Sequence, residues 1–174
     1  MKRLVLAFIA MAFVPVAAFA QEPVVAAPDQ QALLTSLDPA VARNKTLVFD
    51  FWREVQAGDL TNLDRYMDEN YIQHSPGVAS GRAGFRAFFE GRGGAARPVK
   101  PTIDNLVSLV GEGDLVVMAL RREMPDPRNP GQTYTTTWFD MFRVVDGKIS
   151  EHWDYGLVRA PAANPGSPSG TTPR

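Results

Sequence analysis

The stretch that decides the fold runs from Trp138 to Asp154 and reads WFDMFRVVDGKISEHWD. Two runs rich in Phe, Val, Ile and Trp flank Asp146-Gly147, a pair typical of tight turns because the glycine accepts a positive φ. The stretch therefore predicts an antiparallel β-hairpin. Three ionisable residues, Asp140, His152 and Asp154, stand among its large apolar side chains. Burying such groups is costly unless they are paired or used, so the hairpin is the first candidate for a functional site.

The register of this hairpin decides whether the three ionisable groups meet, since a shift of one residue turns every side chain to the other face. A two-residue turn made of Asp146-Gly147 puts Asp140 on the face away from the other two groups. A three-residue loop that starts at Val145 pairs Asp140 with His152 and brings all three groups to one face. Apolar patterning alone mildly favours the two-residue turn, and the residues leave both registers open.

The N-terminus predicts export. Lys2-Arg3 precedes an apolar run from Leu4 to Val16, and Ala18-Phe19-Ala20 fits a cleavage site, which together predict a signal peptide over residues 1–20. A membrane anchor is the alternative, but Pro15 breaks the run, which is shorter than the roughly 20 residues of a span. We expect cleavage after Ala20, a periplasmic or secreted protein, and no membrane contact afterwards.

Composition narrows the classes of function. The chain has 174 residues, a formal net charge of -1 and no cysteine. The charge gives no field that would favour nucleic acid or an anionic membrane as a partner, whereas small molecules and proteins remain open. Without thiols there are no disulfides and no thiolate chemistry, so stability must come from a packed core.

Periodicity predicts helices first and antiparallel strands second, which is typical of an α+β fold. Residues 21–38 are predicted to be a linker with a short helix near 30–36, residues 39–158 the domain, and residues 159–174 a disordered tail. Ser80 could cap the third helix. The predicted helices are Pro39–Ala57, Leu60–Met67 and one around 81–90; the predicted strands are Tyr71–His74, Thr102–Val110, Leu115–Met124, Thr133–Val144 and Lys148–Tyr155.

From about Asn44 to Asp154 the chain resembles the nuclear transport factor 2-like superfamily, and within it the SnoaL-like polyketide cyclases. The resemblance is carried by the helix 44–59, the segment 71–76 (YIQHSP), the helix start 81–85 (GRAGF) and the ending 140–154. It implies a cone, in which about three helices pack on a strongly curved antiparallel sheet of four or more strands around an apolar pocket. Members commonly form homodimers through the sheet.

The resemblance also implies site residues. Asp154 matches the acidic general acid/base of the last strand and Asp140 its polar partner, while His74 matches a pocket-lining position. His152 joins them as a candidate if the three-residue register holds, and the resemblance favours that register. In that register an apolar outer face, covered in a homodimer, would carry Phe139, Met141, Ile149, Trp153 and Tyr155. The expected catalytic residues are Asp154, Asp140, His152 and His74, and the expected substrate-binding residues are Trp138, Phe142, Tyr71 and Gln73.

These residues predict cofactor-independent acid-base chemistry, such as enolisation, aldol cyclisation or isomerisation, on a small hydrophobic carbonyl compound. The alternative is a carrier that binds such a molecule without reaction. A metal triad of His74, His152 and one aspartate is weakly suggested, and we expect no metal or other cofactor. A basic cluster could contact an anionic substrate group, although such residues usually form a solvated face; its members are Arg82, Arg86, Arg92, Arg97 and Lys100.

Overall fold

The computed structural model of the protein describes residues 21–156, which form three α-helices and a five-stranded sheet and confirm the α+β class. The predicted signal peptide, residues 1–20, and residues 157–174, which include the predicted tail, lie outside the described residues. The elements in chain order are a 3₁₀ turn Ala32–Leu34, α1 Pro39–Ala57, α2 Leu63–Tyr66, β1 Met67–Gln73, α3 Arg82–Glu90, β2 Leu106–Glu112, β3 Leu115–Pro125, β4 Thr133–Val145 and β5 Lys148–Asp154.

Helix α1 has the predicted bounds because both of its ends are signalled locally. The Asp38 side chain accepts a hydrogen bond from the Ala40 backbone N–H at 2.7 Å, and Pro39 occupies the first turn, where no backbone N–H is needed. Gly58 ends the helix in the left-handed conformation with a φ of 76°. The helix buries one face in the core through Val48, Phe49, Phe51 and Val55.

The sheet has the strand order β1-β5-β4-β3-β2, with β1 and β2 at its edges, and it does not close into a barrel. Strands β2 to β5 pair antiparallel, as predicted, but β1 runs parallel to β5. The sheet is therefore mostly antiparallel, as predicted, with one parallel pair at its β1 edge. The helices cover its inner face, and the core lies between the two layers.

The tip of the β4–β5 hairpin is a two-residue turn. Asp146 and Gly147 both have positive φ, 49° and 71°, and Val145 pairs with Lys148. This is the backbone pattern of a tight turn whose twist matches that of the strands. The three-residue loop favoured by the family resemblance is therefore wrong.

A bulge in β5 then changes the register by one residue. Ile149 and Glu151 pair with the consecutive residues Val144 and Arg143, so Ser150 is the extra residue. Beyond the bulge Phe142 pairs with His152 and Asp140 with Asp154. The ionisable groups thus share the inner face, although neither predicted register describes how they do so.

The bulge also alters the predicted outer face. Ile149 is fully buried on the inner side and does not belong to the outer apolar set. Phe139 and Tyr155 are 55% and 66% exposed. The outer face therefore remains apolar at Phe139, whereas Tyr155 follows the end of β5 and its ring contacts that of the inner-face residue Trp138 at 5.9 Å.

Two predictions about the helices need correction. Helix α2 is shorter than predicted, since Met67 already begins β1. Ser80 does not cap α3, because its Oγ accepts a hydrogen bond from the Gln73 backbone N–H at 3.1 Å, and Gly81, with a φ of 84°, precedes the helix instead. None of the helices within residues 21–156 combines the length and the hydropathy of a membrane-spanning segment.

The segment predicted as a linker, residues 21–38, contacts the sheet. The Ala27 backbone N–H donates to the carbonyl of Leu106 at 2.7 Å. The buried Gln30 side chain forms a reciprocal pair with the Ile103 backbone, donating at 2.7 Å and accepting at 2.9 Å. Because a buried, doubly bonded amide is costly to expose, this segment is part of the packed structure.

Candidate active site

A cavity of about 430 Å³ lies between the inner face of the sheet and helices α1 and α3. This volume is within the range of small-molecule sites, about 300–1,000 Å³. Its apolar wall is formed by Trp52, Val55, Val78, Phe85, Phe88, Phe89, Leu120, Trp138 and Phe142, and its polar groups are Gln56, Gln73, Ser75, Arg92, Asn105, Arg122, Asp140, His152 and Asp154.

Asp140 and His152 form a buried contact in this wall. Asp140 is 2% exposed and His152 is 6% exposed. Asp140 Oδ1 accepts a hydrogen bond from the Trp138 indole N–H at 3.0 Å and lies 3.2 Å from His152 Nε2. The Phe142 ring packs against the imidazole at a centroid distance of 4.8 Å, which restricts its rotation.

Gln73 fixes which nitrogen of His152 carries a proton. The Oε1 atom of Gln73 accepts a hydrogen bond from the Ser75 backbone N–H at 2.9 Å, while its Nε2 donates to the Tyr71 hydroxyl at 3.0 Å. The same Oε1 lies 2.9 Å from His152 Nδ1. An oxygen can only accept, so Nδ1 must be the protonated donor and Nε2 is the nitrogen that faces Asp140.

This tautomer means that Asp140 and His152 share one proton. A lone pair on Nε2 would repel an ionised Oδ1 at 3.2 Å, so a proton must lie between the two atoms, on oxygen or on nitrogen. The pair is then either a neutral acid beside a neutral imidazole or a carboxylate beside an imidazolium. In both forms it can deliver that proton to a ligand.

Asp154 completes the cluster. One side-chain nitrogen or oxygen of each of Asp140, His152 and Asp154 lies within 4.8 Å of the others. Asp140 Oδ2 and Asp154 Oδ1 are buried and have no hydrogen-bond partner among the described residues. Unpaired carboxylate oxygens are costly to bury, so a proton or a polar ligand group that met them would be strongly stabilised.

The same three side chains could supply a divalent cation with two carboxylates and one imidazole. The suggested triad that includes His74 does not form, because His74 lies on the other face of the sheet. In the present arrangement Nε2 of His152 is directed at Asp140 Oδ1, which also accepts the Trp138 N–H. The geometry therefore favours a shared proton over metal coordination.

Tyr71 lies behind Gln73 and does not line the cavity, unlike the other predicted substrate-binding residues Trp138, Phe142 and Gln73. Burial raises the pKa of Tyr71, and the negative charges of Asp154 and Asp140 raise it further. Its hydroxyl therefore stays neutral and serves to orient the Gln73 amide.

His74 does not join the other candidate residues. Its ring stacks on Trp153 at 5.0 Å, and its Nε2–H donates to Glu151 at 2.7 Å. Arg143 donates to the same carboxylate at 2.9 Å. The hydrogen bond from His74, and to a smaller extent that from Arg143, lower the pKa of Glu151. His74 thus belongs to a polar cluster on the outer face. The sequence did not predict this position, because the register of segment 71–74 with β5 was unknown.

A second cavity of about 380 Å³ lies beside the first, behind the hydrogen-bonded pair Gln56 and Asn105. Its basic residues are already engaged. Arg53 pairs with Asp50, Lys100 pairs with Asp104, and Arg97 donates to the Gln56 carbonyl. The cavity that contains Asp140, His152 and Asp154 is therefore the better candidate for chemistry.

Comparison with known proteins agrees with the fold. Residues 48–152, more than half of the chain, match the model of the SnoaL-like domain. The protein belongs to the SnoaL-like domain family. No curated protein matches this SnoaL-like chain.

Solved structures similar to this SnoaL-like domain include TsrD from Streptomyces laurentii, with 27% identity, a TM-score of 0.44, and coverage of 68% of this chain and 90% of TsrD. A structure described as a SnoaL-like polyketide cyclase from Jannaschia sp. CCS1 has 21% identity and a TM-score of 0.50, covering 70% and 90%. An LEH-like epoxide hydrolase from M. tuberculosis has 17% identity and a TM-score of 0.50, covering 69% and 82%. The last two support the nuclear transport factor 2-like fold.

Sequence reasoning did not include Arg122 among the cavity residues. Its guanidinium carbon lies 3.7 Å from the centre of the Trp138 ring. The alternation of side chains along β3 could have predicted this position, because residues two apart share a face and Arg122 follows Met118 and Leu120 at that spacing.

Proposed function

We propose that this SnoaL-like protein carries out cofactor-independent acid-base chemistry on a small hydrophobic carbonyl compound. The observation that supports this proposal is that Asp140 and Asp154 each bury a carboxylate oxygen without a hydrogen-bond partner among residues 21–156, beside the Asp140–His152 contact in a cavity with an aromatic wall. Such a site can remove one proton and supply another without a metal or an organic cofactor.

In the proposed reaction Asp154 acts as the general base. It removes a proton from the carbon next to the carbonyl group, and the electron pair moves to the carbonyl oxygen. The Asp140–His152 pair donates its shared proton to that oxygen, giving an enol. Where a C=C bond is conjugated with the enol, Asp154 returns its proton to the far carbon and the enol O–H proton goes back to the Asp140–His152 pair, which gives an isomer. Attack of the enol carbon on a second carbonyl gives a ring, with the new alkoxide taking the proton from Asp154 and the enol O–H proton going back to the pair.

Hydrogen exchange next to a ketone tests this proposal directly. The protein starting at Gln21 is incubated with 2-tetralone in D₂O, and loss of the α-proton signal is followed by NMR. We expect Asp154→Asn to lower the catalysed exchange rate about 10²- to 10⁴-fold. Glu112→Gln, at an exposed position outside the cavity, is the control and should keep the wild-type rate. Equal rates in Asp154→Asn and wild type would exclude Asp154 as the base.

The competing function is a carrier that binds a hydrophobic molecule without reaction, which the aromatic wall of the cavity also favours. A carrier would bind ketones in calorimetry but would show no exchange above that of buffer with 2-tetralone or a wider ketone panel. Binding without exchange would therefore replace the enzymatic proposal by the carrier proposal.

We also propose that the protein is exported and dimerises through the outer face of its sheet. Export rests on the predicted signal peptide, residues 1–20. Dimerisation is supported by Phe139, which is 55% exposed on β4, together with Ile72, which is 49% exposed on β1. Sedimentation of the processed protein should give twice the monomer mass, and Phe139→Glu should give the monomer. A wild-type monomer would contradict the dimer.

A further inference from the structure

We propose that the substrate carries a carboxylate, which the exposed Arg122 binds beside the Trp138 ring, next to the Asp140–His152 pair. This inference rests on the proposed function, because it assumes that the 430 Å³ cavity receives the substrate. It adds a chemical class to that proposal, namely a keto acid with an apolar body.

The position of Arg122 supports this assignment. On the inner face, Met118 of β3 pairs with Asp140 of β4, and Arg122 is four residues further along β3. At about 3.3 Å per residue along β3, the backbone of Arg122 is about 13 Å from that of Met118. The Arg122 guanidinium, however, lies over the Trp138 ring at 3.7 Å, and the N–H of that ring donates to Asp140 at 3.0 Å. One small ligand can therefore contact both the guanidinium and the Asp140–His152 pair.

The state of the Arg122 side chain is the second argument. Its guanidinium lies over the Trp138 ring at 3.7 Å, a cation–π contact that holds the group in place without using its N–H donors. Within residues 21–156, no carboxylate lies within salt-bridge distance of Arg122 and none of its side-chain N–H groups forms a hydrogen bond. A guanidinium whose edge is available in this way suits the two oxygens of a carboxylate.

Arg92 repeats this arrangement on the helical side of the cavity. Its guanidinium lies 5.1 Å and 5.7 Å from the ring centres of Phe88 and Phe89, and it also lines the cavity. Two guanidinium groups held on aromatic rings at the lining of one cavity favour a ligand that is both apolar and anionic. The remaining basic residues nearby, Arg53 and Lys100, are paired with carboxylates and contribute less.

A pair of naphthalene probes separates charge recognition from apolar binding. Calorimetry would compare 2-naphthoate with the neutral ketone 2-acetonaphthone on the wild-type protein and on two variants. Arg122→Gln removes the proposed contact. Arg121→Gln removes the same charge from the adjacent residue, whose side chain points to the other face and pairs with Glu123.

We expect wild-type protein to bind 2-naphthoate more tightly than 2-acetonaphthone. Arg122→Gln should raise the Kd of naphthoate about 10-fold, which corresponds to about 1.4 kcal/mol, and should change the Kd of acetonaphthone less than about twofold. Arg121→Gln should leave both constants near wild type. The proposal is overturned if the wild type shows no preference for the anion, or if the two variants weaken naphthoate binding equally.

The binding measurement also separates this proposal from the proposed reaction. Naphthoate has no α-proton, so its binding does not require turnover, and Asp154→Asn should keep the anion preference. An anion preference without ketone exchange would retain the carboxylate site and reject the enzyme. Ketone exchange without an anion preference would retain the enzyme and reject the carboxylate site.

Discussion

Replacing Asp140 by asparagine is the most informative single change, because the structure defines what an amide would have to satisfy. Asp140 Oδ1 receives the Trp138 indole N–H at 3.0 Å and faces His152 Nε2 at 3.2 Å. Gln73 keeps the His152 proton on Nδ1, so neutral His152 presents a lone pair to position 140.

An amide cannot serve both neighbours. If its oxygen accepts from Trp138, that oxygen faces the Nε2 lone pair. If its NH₂ group donates to Nε2, two N–H groups face each other at Trp138. Either orientation leaves one buried polar group unsatisfied, which costs about 1–3 kcal/mol. We therefore expect Asp140→Asn to lower the free energy of unfolding by this amount although the side chain keeps its size.

A double-mutant cycle with Trp138→Phe tests this explanation. Phenylalanine removes the competing N–H, so the amide can donate to Nε2 without conflict. The cost of Asp140→Asn should then fall by about 1 kcal/mol or more, a coupling energy that is measurable by urea unfolding. Asp104→Asn, an exposed position, is the control and should change stability by less than about 0.5 kcal/mol.

Two results would refute the reasoning. The first is an equal cost of Asp140→Asn in the wild-type and Trp138→Phe backgrounds, which would mean that the amide meets no conflict. The second is an imidazole ¹⁵N spectrum that shows neutral His152 protonated on Nε2, which would contradict the role assigned to Gln73.

Three further predictions concern other parts of the molecule. Gly156→Ala should lower the free energy of unfolding in urea by about 1–3 kcal/mol and weaken ketone binding. The reason is that the new Cβ would lie 2.5 Å from Pro76 Cδ and 2.6 Å from Ser75 Oγ, beside the cavity. Unchanged stability would show that this loop can move away. Burial, and then the hydrogen bond to Glu54, raise the pKa of Tyr66 from 10.0 to about 12, so the neutral phenol is favoured in the folded state. The corresponding stability is complete below pH 10 and should be lost as the pH rises towards about 12, a loss that urea midpoints should show to be smaller in Tyr66→Phe than in wild type. Dialysis against a chelator should leave the ketone exchange rate unchanged, and a loss that added Zn²⁺ or Mn²⁺ restores would reverse the choice of a shared proton over a metal.

Local signals in the sequence determined the helices and strands that were predicted well. Asp38, Pro39 and Gly58 carry cap and stop chemistry, which is why both bounds of α1 follow from the sequence. Asp146-Gly147 likewise carries the positive φ values that a tight turn needs. Both features depend on residues within one turn of chain, where side-chain chemistry and backbone conformation are directly linked.

The site was less predictable because it depends on long-range pairing. Ser150 has no side-chain property that identifies it as a bulge, so the convergence of the inner-face residues could be inferred only by analogy. The parallel pairing of β1 with β5 placed Gln73 in the cavity and His74 outside it. The face of the sheet that each residue takes is fixed by contacts between segments more than 70 residues apart in the chain, and no local pattern encodes such contacts.

The bulge at Ser150 divides the hairpin into a turn side and a cavity side, which differ in register by one residue. Strand residues on the turn side keep one register and those on the cavity side keep another. Changes in turn length that preserve the pairing of Val145 with Lys148 should leave the acid-base residues in place. If Ser150 instead took a regular place in the ladder, His152 and Asp154 would turn out of the cavity in one step, whereas deletion of Ser150 would leave them paired with Phe142 and Asp140. In the evolution of such a domain, loss of this one codon would therefore preserve the proposed chemistry, whereas substitution of His152 or Asp154 would remove it.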